Sequence, residues 1–125
     1  GGTLLNDVRA IRVLLVDDNE MVSELLAEFL ALSGVETRCA ATGEAALELA
    51  DSFAPEAVLV DILLPDMDGY ELATRLRARA RDTRIYALSG LARQERRDDT
   101  EGMFNGWIEK PADPDALLAI LRQAH

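Results

Sequence analysis

The sequence predicts an α/β domain built on a parallel sheet, and three observations carry that prediction. Short apolar runs alternate with amphipathic segments along nearly the whole chain, the pattern of repeated βαβ units. Val13-Leu14-Leu15-Val16 and Ala57-Val58-Leu59-Val60 are unbroken apolar runs of strand length, as expected of strands covered on both faces. Polar residues with matching chemistry follow four of the predicted strands.

The first strand spans residues 12–16 and leads to Asn19, a helix cap, before Val22, Leu25, Leu26, Phe29 and Leu30 recur at helical spacing. Gly34 stands where a helix C-terminus favours glycine. A second strand covers residues 35–40, and Thr42-Gly43 opens a helix with Ala46, Leu47 and Ala50. Pro55 precedes the third strand, residues 57–60, which ends at Asp61. Beyond the loop at residues 63–67, Asp68 and Glu71 form a capping-box-like pair for a helix with Leu72 and Leu76 inward.

The fourth strand, residues 84–88, stops at Ser89-Gly90, and the fifth, residues 107–109, stops at Lys110-Pro111. Asp113-Pro114 places a cap before proline at the first helical position, opening a helix that buries Leu117, Leu118 and Leu121. Residues 93–102 are almost wholly polar where a fourth helix should fall. An atypical helix, short, mobile or displaced, is therefore expected over residues 92–103.

Composition narrows the possible functions. The 125 residues suit one domain, and a hydrophobic share of 49% with only 8 Gly and 4 Pro argues against disorder. A formal net charge of -10 makes direct nucleic-acid binding improbable, because a chain this acidic repels polyphosphate. No apolar stretch reaches membrane-spanning length, and residues 1–7 lack the pattern of a signal peptide, so a cytoplasmic domain is expected. Residues 1–10 read as a linker or cloning remnant and residues 11–125 as the domain. The Gly1-Gly2 start without an initiator Met suggests a piece of a longer protein. The single Cys39 offers neither a disulfide nor a metal cluster and is expected as a small buried hydrophobe; His125, the last residue, is no catalyst.

In an open parallel sheet the carboxyl ends of the strands form the ligand crevice. That geometry gathers Asp17, Asp18, Asp61, Ser89 and Lys110, which lie far apart in sequence. Packed carboxylates repel unless a cation neutralises them, and oxygen ligands select Mg2+, Mn2+ or Ca2+ over zinc. A carboxylate attacks phosphorus when metal and ammonium absorb the charge of the transferred group. Lys110 suits one phosphate oxygen, and the Ser89 hydroxyl can donate to another. Taken singly, each residue has a plainer role. Asp17-Asp18 could cap a helix, Ser89 could serve a turn, Trp107 could pack in the core and Lys110 could be a surface lysine.

Four blocks are similar to the signatures of response-regulator receiver domains of two-component systems. They are Val13-Leu14-Leu15-Val16-Asp17-Asp18-Asn19, Leu59-Val60-Asp61 through Pro65-Asp66-Met67-Asp68-Gly69, Ala87-Leu88-Ser89-Gly90 and Trp107-Ile108-Glu109-Lys110-Pro111. They occur in the family's order and cover roughly residues 11–123. The resemblance implies a flavodoxin-like (βα)5 fold, doubly wound, with strand order 2-1-3-4-5. It implies Asp61 as phosphoacceptor, with Mg2+ (Mn2+ as a substitute) bound by Asp18, Asp61, the Leu63 backbone carbonyl and, mainly through water, Asp17. Ser89 and Trp107 take the family's switch positions, and the Lys110-Pro111 bond matches one that is usually cis. The donor implied is a histidine kinase or histidine phosphotransfer protein, with other domains of the same polypeptide as further partners. A hybrid sensor kinase or multidomain regulator is the expected parent, and a stand-alone receiver the alternative.

Two other classes compete. An aspartate-nucleophile phosphatase of the haloacid-dehalogenase kind wants Asp-x-Asp at the first strand, where this chain has Asp17-Asp18-Asn19-Glu20. A degenerate receiver would lack the acceptor or the lysine, and both are here. Leu63 and Leu91 are apolar where many receivers carry polar residues beside the phosphate.

Overall fold

The computed structural model describes residues 11–80, 82–90 and 103–123. The elements follow in the order β1 (Ile11–Val16), α1 (Glu20–Leu32), β2 (Val35–Ala40), α2 (Gly43–Phe53), β3 (Ala57–Asp61), α3 (Gly69–Arg79), β4 (Arg84–Ser89), β5 (Gly106–Glu109) and α4 (Pro114–Gln123). The atypical fourth helix expected over residues 92–103 lies, all but its last residue, outside the described residues.

The helices start where side chains satisfy amide groups that the first turn leaves unpaired. Asn19 Oδ1 accepts from Val22 N at 3.2 Å, Thr42 Oγ1 from Ala45 N at 3.1 Å, and Asp68 Oδ1 from Glu71 N at 2.9 Å. Past the end of α1, Gly34 turns the chain at φ 88°, in the left-handed region that glycine enters without steric cost.

All four strand pairings are parallel, and the five strands lie in the order β2-β1-β3-β4-β5. Alternation of side chains along each strand divides the interior into two cores. Leu14, Val16, Val58, Val60, Ile85 and Ala87 face the side covered by α2 and α3, against Ala46, Leu47, Leu72, Ala73 and Leu76. Val13, Leu15, Leu59, Tyr86 and Leu88 face α1 and α4, against Leu30, Leu117 and Leu121.

The apolar stripe of α1, which the helical spacing marked, is wider than the surface it buries: Leu30 is buried, but Leu25 is 62% exposed and Val22 39%. A helix packed against one face of a sheet buries only one stripe of its residues, leaving Met21, Val22 and Leu25 outward. One local expectation needs correction: Cys39 is exposed rather than buried, on β2, an edge strand of the sheet. Its Sγ lies 3.7 Å from the Ser23 carbonyl oxygen. Among the described residues, no helix is long and apolar enough to cross a membrane.

Candidate functional site

The strand order reverses at β1 and β3, neighbours at the middle of the sheet, and the crevice opens above their carboxyl ends. Backbone pairing continues one step past the strands and holds the site residues in place. Asp17 N donates to Ala40 O at 3.0 Å, Ile62 N to Leu88 O at 3.1 Å, and Lys110 N to Ser89 O at 2.8 Å. The main chain itself therefore carries the side chains of Asp17, Asp61 and Lys110 to one place.

Asp17 and Asp61 are 3% and 7% exposed, whereas Asp18 faces solvent. One carboxylate oxygen from each of the three lies within 4.8 Å of the others. Asp17 Oδ1 accepts from Asn19 N at 2.9 Å, and Asp61 Oδ1 accepts from Leu63 N at 3.0 Å. The Lys110 ammonium bridges the second oxygens, 3.1 Å from Asp17 Oδ2 and 3.0 Å from Asp61 Oδ2.

Burial pushes the Asp61 carboxyl above its ordinary pKa, and the charge of Asp17 adds to that effect. The Leu63 amide and Lys110 only partly offset it. Burial works against the Lys110 ammonium, yet Asp61 and Asp17 outweigh it and leave the lysine's pKa raised. One ammonium against three carboxylates leaves an excess of negative charge, and the donors are all hard oxygens. The residues therefore fit a small divalent cation such as Mg2+.

Ser89, 2% exposed, ends β4 one residue beyond Leu88, the register partner of Asp61. Leu63 is 63% exposed at the mouth of the crevice; Leu91 lies outside the described residues. Trp107 is half-buried on β5, beyond the carboxylates but on the same side of the sheet as α3. Its ring stands 5.2 Å from that of Phe104 and 6.2 Å from that of Tyr70, centroid to centroid. Asp68, expected as a cap, is one. The Lys110-Pro111 peptide bond is cis, matching the resemblance.

Sequence reasoning missed two features around the site. Tyr70 and Phe104 complete the aromatic group around Trp107, and no periodicity pairs them with it. Asp66 accepts from Gly43 N at 2.8 Å through Oδ1 and from Glu44 N at 3.0 Å through Oδ2. The Gly43 amide, helped by that of Glu44, holds this carboxyl below the ordinary range. A side chain reaching from one loop to the start of a distant helix leaves no local signal.

A parallel sheet in the order β2-β1-β3-β4-β5, helices on both faces and an acidic crevice over its centre define a flavodoxin-like domain of the CheY kind. Residues 13–122 match the family described as the response regulator receiver domain. The chain is 35% identical over 115 residues to the regulatory protein AtoC of Escherichia coli K12, covering 90% of this chain and 25% of AtoC. It is 34% identical over 115 residues to the response regulator MprA of Mycolicibacterium vanbaalenii, covering 90% of this chain and 49% of MprA. The chain thus spans half or less of these relatives' length. A CheY-like receiver domain from Methylobacillus flagellatus superposes with a TM-score of 0.85 at 27% identity, covering 93% of this chain and 99% of that one. The chain belongs to the response-regulator receiver domain family of two-component signalling.

Proposed function

We propose that Asp61 accepts the phosphoryl group, in a Mg2+-dependent switch that changes a partner-binding surface rather than turning over a substrate. The observation that carries this reading is the Lys110 ammonium shared between Asp61 Oδ2 and Asp17 Oδ2, with Asp18 beside them. Asp61 attacks phosphorus; its oxygen–phosphorus bond forms as the phosphorus–nitrogen bond of a phosphohistidine donor breaks, and the imidazole leaves. Lys110 then follows the new charge onto a phosphoryl oxygen, and the Ser89 hydroxyl donates to another.

Asp18, Asp61 and the Leu63 carbonyl would hold Mg2+, with Asp17 acting through water. When bound, the ion supplies the positive charge that lets an anionic donor approach three carboxylates. Mn2+, with the same preference for oxygen, would substitute. Ser89 and Trp107 are proposed to carry the switch, the indole moving when the serine turns toward the phosphoryl group. For the donor, a histidine kinase or histidine phosphotransfer protein, the apolar surface of Met21, Val22 and Leu25 offers a docking face. It starts two residues after Asn19, whose amide binds Asp17. Further domains of a longer polypeptide are proposed as the other partners.

Intact-mass analysis after incubation with acetyl phosphate tests the assignment. The wild type should gain one phosphoryl group with Mg2+ and none in EDTA, and Asp61→Asn none in either. Equal labelling of that variant would move the acceptor elsewhere.

A further inference from the structure

The loop from Asp61 to Gly69 is closed at its base and pinned at its tip. At the base, Gly69 N donates to Ile62 O at 2.8 Å and Leu63 bridges Asp68 in antiparallel fashion. There is no slack in this closure, since a Cβ on Gly69 would lie 2.9 Å from Ile62 Cα and 3.0 Å from Asp61 O. At the tip, the two Asp66 carboxylate oxygens take the Gly43 and Glu44 amides, both in the first turn of α2. Met67 lies beside this junction, so close to Gly43 that a Cβ there would come within 2.6 Å of its Cγ and Sδ. Leu63 belongs to the closed base, on the arm of the loop that runs up to the pinned tip.

We propose that Asp66 is a positioning residue for the metal site: by clamping the loop tip to α2 it fixes where the Leu63 carbonyl stands relative to Asp61 and Asp18. This rests on the metal-dependent reading of Asp17, Asp18 and Asp61 above. A carbonyl ligand is useful to a small cation only if its oxygen stays near one point, because Mg2+ tolerates little departure from octahedral geometry. A loop tied only at its base could tilt as a unit about Ile62 and Gly69, carrying the Leu63–Asp68 bridge with it. The tie at Asp66 removes that motion, and it needs both carboxylate oxygens, each facing its own N–H. An Asn there has one acceptor for two donors, and an Ala has none.

Mg2+ titrations of the wild type, Asp66→Asn and Asp66→Ala, followed by Trp107 fluorescence and by backbone amide spectra, test this. The expected order of affinity is wild type, Asn, Ala, with the Ala variant weaker by about tenfold, the low end for residues that orient metal ligands. The Gly43 and Glu44 amide resonances should shift on Mg2+ binding in the wild type and cease to respond in Asp66→Ala. Wild-type affinity in both variants would overturn the proposal, even with a lower Tm in EDTA, because Asp66 would then be a helix cap alone. Loss of the Mg2+ response from the wild type itself would instead overturn the metal reading on which the proposal stands.

Discussion

Asp17 and Asp61 are held by the same arrangement. Each gives Oδ1 to the backbone amide two residues further on, Asn19 N or Leu63 N, and each gives Oδ2 to the Lys110 ammonium. Two strands of one parallel sheet thus end in matching turns, with a single cation between them. The Oδ1 bonds orient the carboxylates from the backbone, whatever else enters the crevice.

This crowding sets the first prediction. The folded-state pKa of Asp61 is raised, so the folded chain holds that proton more tightly than the unfolded chain does. The associated stability is fully present below the unfolded pKa and is lost as pH rises through the folded one. Asp61→Asn should therefore melt at a higher temperature than the wild type near neutral pH in EDTA. The difference should close as the solution is acidified. A lower Tm for the variant at neutral pH would contradict it.

Mg2+ affinity should fall far more in Asp18→Ala than in Asp68→Ala. Asp18 belongs to the three-carboxylate group, whereas Asp68 accepts from Glu71 N as the cap of α3. Losing the cap should cost about 1 kcal/mol of stability and leave the ion in place. Fluorescence titration of Trp107 separates the two, and similar affinities would contradict the site.

Hydrolysis of the aspartyl phosphate should be slow, with Leu63 as one cause. Its exposed apolar side chain stands at the mouth of the crevice and cannot hold an attacking water by hydrogen bonding. Leu63→Asn should shorten the phosphoryl lifetime, measured by the decay of the phosphorylated mass after donor removal. A lifetime unchanged or extended would remove Leu63 from the account.

Gly69→Ala should destabilise the chain by about 1–3 kcal/mol, the usual cost of forcing extra volume into a packed position. The added methyl group meets backbone at Ile62 Cα and Asp61 O, neither of which can rotate away. Urea denaturation gives the value. A change near zero would show that α3 can shift as a unit.

Most of the frame was legible in the sequence because its causes are local. Apolar runs mark β1 and β3, Asn19 and Asp68 cap the helices they precede, and Pro114 opens α4. The grouping of Asp17, Asp18, Asp61 and Lys110 follows once parallel strands are assumed, since each sits at a strand's carboxyl end. The clamp at Asp66 and the rings around Trp107 were not legible, because their partners meet only after the sheet is assembled. The exposure of Cys39 was misjudged for a related reason: residue type says what can be buried, not how much cover a neighbour supplies.

Lys110 follows the end of β5, one of the two edge strands, and reaches past β4 to residues at the ends of β3 and β1. Beside the backbone pairing of β4 with β5, its ammonium acts as a guy rope that ties the rim of the sheet to the middle by charged hydrogen bonds. A phosphoryl group on Asp61 would draw that rope toward itself and slacken its hold on Asp17. The rim strand so tied is also the one that carries Trp107 and, through it, the contact with the Phe104 ring.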